Sequence, residues 1–455
     1  MGIVIMVGQL ILGLSILVIL HELGHFLAAR AFGIKVDKFY LFFDAWGFSL
    51  FKFTYKDVEY GVGWLPLGGY VKIAGMIDES MDTEQMEGPP QPWEFRSKPA
   101  WQRLIVMLGG VFVNVVLAIV IFWVLTARLG ETYIPNSSIK YGIVPGKIGV
   151  KMGLKAGDQI IAINGRPLVK FDSLISPKVF IDHTVLTLQR NGKTMDLTVP
   201  TTLINDLADY GVDGIDQFIS PLPRTKFSID SIVPGSAAQT AGLMKGDSIT
   251  AVNGAKITFY DQLQAELKKY ANKNVLLEVK RNNEVKQLTV AVNNDGKLGS
   301  KTGGFGISAK FDLPEEKTIK YGVLASLPLG AKKAWDNFSI NIRSMSKVFK
   351  GEAKFNKVVA GPVAIATMFG SHVDWIHFWG MVGLLSMALA ITNLLPIPAL
   401  DGGHAVFLII EMIKGKPLSD KFLERAQIVG FVLLITLMVF VFGNDIVKQV
   451  LKNKP

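Results

Sequence analysis

Four apolar stretches constrain the fold of this chain most, because each is long enough, or nearly long enough, to cross a lipid bilayer. The hydrophobic fraction of 49% and the mean hydropathy of +0.34 are high for a water-soluble protein. We therefore predict a multi-pass α-helical membrane protein with about four transmembrane helices. Their predicted bounds are 1–30, 104–127, 376–404 and 426–455, where the last range includes a short tail.

Basic residues near the ends of the spans predict how the chain is oriented. Arg30, Lys35 and Lys38 follow the first span, and four more basic residues lie in the predicted 405–425 loop. These loops are therefore expected on the cytoplasmic side. Both termini and the 128–375 region are expected on the outer side. The lysines of the tail argue weakly for the reverse orientation. The net charge of +10 comes mainly from such flanking residues. No basic block indicates a nucleic-acid partner.

The first span contains the segment His-Glu-Leu-Gly-His at 21–25. Residues four apart lie on one face of a helix, so His21 and His25 can bind one metal ion, while Glu22 can reach a water molecule on that ion. A charge at the centre of a bilayer costs roughly 2.5–3.5 kcal/mol, and a bound metal would compensate three ionisable side chains in one turn. The alternative is a polar cluster that binds another helix or a haem.

The same span is expected to be retained in the mature protein. It lacks the basic start of a signal peptide, is too long for the apolar core of one, and contains the histidine pair.

A catalytic zinc site usually has three protein ligands, so the histidine pair needs a partner. The chain has no cysteine, which restricts the third ligand to a histidine or a carboxylate. Asp401 and His404 both follow a segment in which Pro396 and Pro398 should break the third span. A broken helix at membrane depth is tolerated where it lines a cavity. The residues alone leave both candidates open.

The 31–103 segment is predicted to be a cytoplasmic region that contains a membrane-associated β-sheet. Alternating aromatic and polar residues at 46–77 predict strands, with a turn at Gly68-Gly69 before a strand that starts at Tyr70. A small soluble hairpin is the alternative. Residues 78–98 are acidic and proline-rich, and we expect a flexible loop there.

The outer region contains an internal repeat with an offset of 89 residues. Two ranges, 128–220 and 221–312, each carry a Pro-Gly pair, a Gly-Leu-x-x-Gly-Asp segment and an Asn-Gly pair. We interpret them as two copies of one small α/β module. They resemble tandem PDZ domains in the circularly permuted bacterial form, which bind peptide C-termini by strand addition. A rigid spacer with empty grooves is the alternative.

Residues 313–375 are predicted to include an amphipathic helix at about 325–350. Apolar residues such as Trp335 and Phe338 recur there at helical spacing, with lysines and arginines between them. We expect this helix on the outer membrane surface. A helix that packs against the rest of the protein is the alternative.

Taken together, the two polar motifs resemble those of the site-2 protease family (M50) of intramembrane zinc metalloproteases. The first is His-Glu-x-x-His in the first span, and the second is Asn-x-x-Pro-x-Pro-x-Leu-Asp-Gly at 393–402 in the third. The resemblance covers nearly the whole chain and includes a bacterial type with two PDZ domains between spans two and three. It implies one zinc ion per chain, held by His21, His25 and Asp401, with Glu22 as the general base.

The family resemblance also implies substrate-binding positions. Asn393 matches a residue that holds substrate, and Gly68, Gly69 and Tyr70 match a membrane-associated β-hairpin. Asn114 matches the end of a Gly-x-x-x-Asn element that begins at Gly110. Val111 stands where the family often has proline. An alternative role for Asn114 is to bond helices to each other.

The implied activity is hydrolysis of peptide bonds within transmembrane segments of single-span membrane proteins, such as anti-sigma factors or remnant signal peptides. The implied location is the bacterial inner membrane, with the PDZ-like modules periplasmic and the zinc site near the cytoplasmic side. We expect the module pair to act as a size filter for substrates. A non-catalytic PDZ scaffold and a zinc transporter or sensor are the alternatives, and intact His21, Glu22, His25 and Asp401 argue against the scaffold.

Overall fold

The computed structural model describes residues 2–76, 88–210, 214–292 and 306–452. The chain divides into two compact units. We call Met1–Glu131 together with Ile319–Pro455 the helical unit, and Thr132–Thr318 the inserted unit. Part of the predicted acidic loop, 77–87, lies outside the described residues.

The described part of the chain contains helices and strands in both units. The helices are α1 (Gly2–Ala31), α2 (Ala100–Leu129), α3 (Lys147–Lys151), α4 (Lys178–Ile181), α5 (Leu203–Ala208), α6 (Gly214–Phe218), α7 (Ala237–Thr240), α8 (Tyr260–Lys268), α9 (Leu327–Phe349), α10 (Phe355–Val358), α11 (Pro362–Phe369), α12 (Trp375–Asn393), α13 (Asp401–Lys414) and α14 (Asp420–Lys452). The strands are β1 (Val36–Phe43), β2 (Ser49–Tyr55), β3 (Val58–Gly63), β4 (Leu65–Ile73), β5 (Glu131–Tyr133), β6 (Gln159–Ile163), β7 (Arg166–Pro167), β8 (Thr184–Arg190), β9 (Lys193–Val199), β10 (Phe227–Ile232), β11 (Ser248–Val252), β12 (Ala255–Lys256), β13 (Asn274–Arg281), β14 (Glu284–Ala291), β15 (Ile307–Phe311) and β16 (Lys317–Ile319).

Four helices of the described chain are long and apolar enough to cross a membrane, which confirms the predicted number. They are α1, α2, α12 and the Lys421–Asp445 part of α14. The third predicted span, 376–404, is not one helix, because α12 ends at Asn393 and α13 begins at Asp401. Pro396 and Pro398 lie in the turn between them and supply no backbone N–H for a continuing helix. Helix α13 also occupies much of the predicted 405–425 loop.

Helices α1 and α2 cross at glycine residues. A Cβ atom on Gly24 of α1 would overlap the backbone of Gly109 in α2, and a Cβ on Gly109 would overlap the backbone of Gly24. Paired small residues of this kind let two membrane helices approach until their main chains touch. This close approach brings the polar turn of α1 against the face of α2 that carries Gly110.

A four-stranded sheet with the strand order β2-β3-β1-β4 follows α1. Its first strand, β1, was not predicted. The predicted turn at Gly68-Gly69 is wrong, since both residues lie inside β4. A Cβ on Gly69 would lie 2.7 Å from the Val18 side chain and from the Tyr40 carbonyl oxygen. Gly69 therefore serves a close approach of β4 to α1, not a turn.

Helix α9 packs against α2, as the packing alternative for the 313–375 region expects, and its predicted position on the outer membrane surface stays a prediction. Gly330 lies so close to Trp123 that a Cβ there would overlap the Trp123 backbone. Lys333 Nζ donates to Thr126 Oγ1 at 3.0 Å, and buried Ala334 joins a cluster with Ala118 of α2 and Met387 of α12.

The inserted unit contains two sheets with the same arrangement, β7-β6-β8-β9 and β12-β11-β13-β14. The sequence offset of 89 residues holds from β6 to β11 and from β7 to β12. In each copy a buried aspartate, Asp158 or Asp247, accepts hydrogen bonds from one arginine, Arg190 or Arg281. The repeat seen in the sequence is therefore a repeat of structure.

Candidate metal centre

Three side chains converge inside the helical unit. His21 Nε2 lies 3.2 Å from His25 Nε2 and 3.2 Å from Asp401 Oδ2, and His25 Nε2 lies 3.5 Å from the same oxygen. Both histidines are buried, at 6% and 7% exposure. Among the described residues this is the group of histidines and carboxylates whose geometry could hold a metal ion. The structure thus brings together the pair from the first span and Asp401 from beyond the third.

The spacing of these atoms fits a tetrahedral zinc ion. Ligands at about 2.0–2.1 Å from zinc are separated from one another by about 3.3 Å, close to the three distances observed. Asp401 Oδ2 is buried and accepts no well-aligned hydrogen bond from the described part of the protein. A buried carboxylate oxygen without a donor is costly unless a cation neutralises it. Two imidazoles and a carboxylate are also a usual donor set for catalytic zinc.

Tight turns place Asp401 at the start of α13. A Cβ on Gly402 would overlap the main chain of Leu394, and one on Gly403 would overlap that of Ile397. Ala399 adopts a left-handed φ of 76° between the two prolines and α13. The Leu-Asp-Gly-Gly sequence therefore lets the broken end of α12 pack onto the first turn of α13, which directs the carboxylate towards α1.

One stripe of α2 supports both histidines. Residues 106, 110 and 114 are four apart and share a helix face. A Cβ on Gly110 would lie 2.5 Å from His21 Cε1 and from His25 Nε2, so only glycine leaves room for the two rings. His25 Nδ1 donates to the Val106 carbonyl oxygen at 2.8 Å, and the missing side chain at position 110 leaves that carbonyl accessible. Asn114 is fully buried, with its amide nitrogen 3.1 Å from His21 Nδ1.

Three further predicted residues lie close to the cluster. The Asn393 amide nitrogen lies 3.0 Å from His21 Nε2. Glu22 is on α1 between the two histidines, and a Cβ on Gly69 would lie 3.5 Å from its Cγ atom. Strand β4 thus passes beside Glu22, which places one edge of the sheet next to the cluster.

Tyr70 faces the sheet. Its hydroxyl donates to Asp44 Oδ1 at 2.8 Å, and its ring stacks on Tyr40 at 5.3 Å between centroids. Burial raises the pKa of Tyr40 to about 12, and the hydrogen bond that it donates to Glu59 acts in the same direction. These aromatic contacts hold β4 against β1.

His404 lies outside the cluster, as the resemblance implies. Its ring lies close to Gln427, a buried residue of α14. Sequence reasoning missed Gln427, the Val106 carbonyl and the Gly24–Gly109 contact. A glutamine inside a predicted span was the one available signal, because polar residues in spans usually face a partner.

Comparison with known proteins is consistent with this geometry. The model of peptidase family M50 matches residues 9–437. The chain is 30% identical over 456 residues to the regulator of sigma E protease of Haemophilus influenzae, covering 97% of this chain and 98% of that protein. It is 28% identical over 457 residues to the regulator of sigma-E protease of Escherichia coli, covering 96% and 97%. A Vibrio cholerae protein whose name describes a zinc metalloprotease is 28% identical over 453 residues, with coverage of 96% and 97%.

Proposed function

Because the chain belongs to peptidase family M50 and is a zinc metalloprotease of the membrane, we propose that it hydrolyses peptide bonds within the membrane-spanning segments of single-span proteins. In this proposal His21, His25 and Asp401 hold one zinc ion and Glu22 is the general base. The observation that carries it is the convergence of three ligand atoms within 4.8 Å of one another among membrane helices. Anti-sigma factors and remnant signal peptides are the proposed substrates, since two relatives are named for the regulation of sigma E.

A bound zinc ion supplies electrophilic activation of both water and the scissile carbonyl group. Glu22 removes the proton from the attacking water and later donates it to the leaving amine. The position of Glu22 on α1, one residue from His21 and three from His25, suits a base that faces the centre without ligating it. The burial of His21 and His25 would limit the access of bulk water to the reacting groups.

A helical substrate must unwind before cleavage, because its carbonyl groups are bonded within the helix. We propose that the outer edge of β4 receives the unwound segment as an added strand. This edge passes beside Glu22, and Gly69 lets it approach α1. Asn393 would then hydrogen-bond the freed backbone of the substrate next to the metal.

The inserted unit is proposed to comprise two PDZ-like domains, at 128–220 and 221–312. It joins the helical unit after α2 and before α9. We assign both of these connections to the periplasmic side. Two compact modules at this place would exclude substrates with a large folded outer domain and admit short stubs. Peptide C-termini are the proposed ligands of the module grooves.

The test combines metal analysis with cleavage. Full-length protein purified in detergent should contain about one zinc per chain and cut a tagged single-span substrate. Removal of zinc by a chelator should abolish cleavage, and added zinc should restore it. A chain that assembles substrates without cutting them, with or without zinc, would be the PDZ scaffold instead.

A further inference from the structure

Asn114 is directed at His21 and not at an open cavity. The residue is 0% exposed, and its side-chain amide nitrogen lies 3.1 Å from His21 Nδ1. The amide oxygen is buried and has no hydrogen-bond partner among the described residues. A residue in this position cannot reach a substrate backbone unless the α1–α2 contact opens.

The tautomer that His21 needs for metal binding determines which end of the Asn114 amide can face its Nδ1 atom. If Nε2 binds a metal, the ring proton is on Nδ1, and Nδ1 must donate a hydrogen bond. His25 meets this requirement through the Val106 carbonyl oxygen. For His21, the group next to Nδ1 is the Asn114 amide.

The amide has two orientations that occupy the same volume. With its nitrogen towards Nδ1, the amide donates, and the His21 proton is then on Nε2, where it blocks metal binding. After a half-turn, the amide oxygen accepts from Nδ1–H and Nε2 is free to ligate. One end of the amide lacks a partner among the described residues in either orientation, so no other hydrogen bond opposes the orientation in which the oxygen accepts from His21.

We propose that Asn114 is a positioning residue that accepts a hydrogen bond from His21 Nδ1 and thereby holds His21 in its metal-binding tautomer. This inference rests on the metal centre proposed above. It gives the two ends of the Gly-x-x-x-Asn element separate roles, since Gly110 makes room for the rings and Asn114, one turn later, orients one of them.

The side chain of Asn114 does not form the hydrogen bond that joins α2 to α12. Ser386 Oγ of α12 donates to the Asn114 backbone carbonyl oxygen at 2.7 Å, so the α2–α12 hydrogen bond uses the main chain. A substitution at Ser386 can therefore remove that interhelical bond while the acceptor for His21 stays in place. This separates a positioning role from a purely structural one.

The experiment measures zinc affinity by chelator competition on full-length protein in detergent. Asn114→Leu keeps the volume and removes the acceptor, so we expect zinc to bind about 10–100-fold more weakly. Asn114→Asp keeps an acceptor and should bind zinc at least as tightly as the unchanged protein. Ser386→Ala is the matched control and should change zinc affinity less than threefold, because it removes only the bond to the Asn114 main chain and leaves the acceptor for His21 in place.

A second readout reports the tautomer directly. In zinc-free protein with ¹⁵N-labelled histidine, the His21 signals, assigned with His21→Gln, should show a protonated Nδ1 in the unchanged protein and in Asn114→Asp. Asn114→Leu should show a mixture of tautomers. Because this readout needs no activity, it also serves if Asn114→Leu is less stable.

Two results would overturn the inference. One is unchanged zinc affinity in Asn114→Leu. The other is a loss of zinc affinity in Asn114→Asp and in Ser386→Ala that equals the loss in Asn114→Leu, which would indicate a structural role only. A failure of the metal centre itself looks different, because His21→Gln would then leave zinc affinity unchanged.

Discussion

Gly110 of α2 lies directly against the ring of His21, so that a Cβ atom at position 110 would be 2.5 Å from His21 Cε1. The same Cβ would be 2.5 Å from His25 Nε2. The convergence of His21 and His25 therefore depends on a glycine in a different helix. In the proposed metal centre, helix packing and metal binding would be coupled at this point.

The first prediction is that Gly110→Ala disrupts the centre. Overpacking a well-packed site costs about 1–3 kcal/mol, and here the displaced atoms are the ligand rings. We expect zinc affinity to fall at least tenfold and cleavage to be lost. The measurement is zinc content after dialysis against a weak chelator. Gly8→Ala on α1 is the matched control, because a Cβ there meets nothing within 4 Å.

The second prediction concerns Glu22. Glu22→Gln should retain zinc, because the three ligand atoms come from other residues. Cleavage should fall by roughly 10²–10⁴-fold, the usual contribution of a general base. The assay is single-turnover cleavage of a tagged substrate beside a zinc determination on the same sample. Cleavage near the original rate would remove Glu22 from the mechanism.

The third prediction separates Asp401 from His404. Asp401→Ala should lower zinc occupancy and abolish cleavage, because it removes the carboxylate oxygen that lies 3.2 Å from His21 Nε2. His404→Ala should leave zinc bound, since His404 is not one of the three residues whose ligand atoms converge. Zinc content by mass spectrometry of both variants is the test. If His404→Ala lost zinc and Asp401→Ala retained it, His404 and not Asp401 would be the third ligand.

The fourth prediction is an acid sensitivity in the inserted unit. Burial would raise the pKa of Asp247, but hydrogen bonds from Arg281 and from the Met244 N–H outweigh it and lower the pKa. A carboxyl group with a lowered folded-state pKa stabilises the fold above its unfolded value of about 3.9. That stabilisation is lost as the pH falls from about 4 through the folded-state pKa.

Hydrogen exchange of β11 and β13 in the full chain measures this effect. Asp247→Asn should destabilise the unit by about 3–5 kcal/mol at neutral pH, because it leaves Arg281 without its buried partner. The Asp247→Asn variant should also show a smaller loss of hydrogen-exchange protection than the unchanged protein as the pH falls below 4. Asp230→Asn is the control, since the Asp230 pair with Lys245 is exposed and contributes about 0–1 kcal/mol.

The fifth prediction concerns the proposed size filter. Replacing roughly residues 140–295 with a flexible linker should leave the zinc site intact, because all three ligands belong to the helical unit. The shortened enzyme should cut a substrate with a large folded outer domain that the intact enzyme rejects. Ile232→Asp in the second module should have a smaller effect.

A short-stub substrate, cut by both enzymes, is the control for activity. If the truncated enzyme is folded and binds zinc but still rejects the large substrate, the size-filter proposal is wrong. Partner binding would then be the role of the modules.

Features that depend on local chemistry were predictable from the sequence. The spans follow from the bilayer's requirement for long apolar helices, and the histidine pair follows from the helical repeat. The break after Asn393 follows from the prolines. Asp401 was reached through a family resemblance, because nothing local distinguishes it from His404.

Features that depend on contacts between distant segments were not predictable. Gly68 and Gly69 were interpreted as a turn, since the sequence does not show that β4 must pass close to Val18 and Tyr40. Helix α13 extends into the predicted 405–425 loop because it packs against α2, a contact that the sequence does not show. The contact of Asn114 with His21 joins residues 93 positions apart.

The most direct test of the proposed centre is zinc K-edge X-ray absorption on full-length Glu22→Gln protein, which should hold zinc without turning over substrate. We predict one zinc per chain with two imidazole ligands and oxygen ligands, at about 2.0–2.1 Å. The imidazole signal should halve in a further His25→Ala variant. Zinc with one imidazole or none in the starting protein, or no bound zinc, would contradict a centre formed by His21, His25 and Asp401.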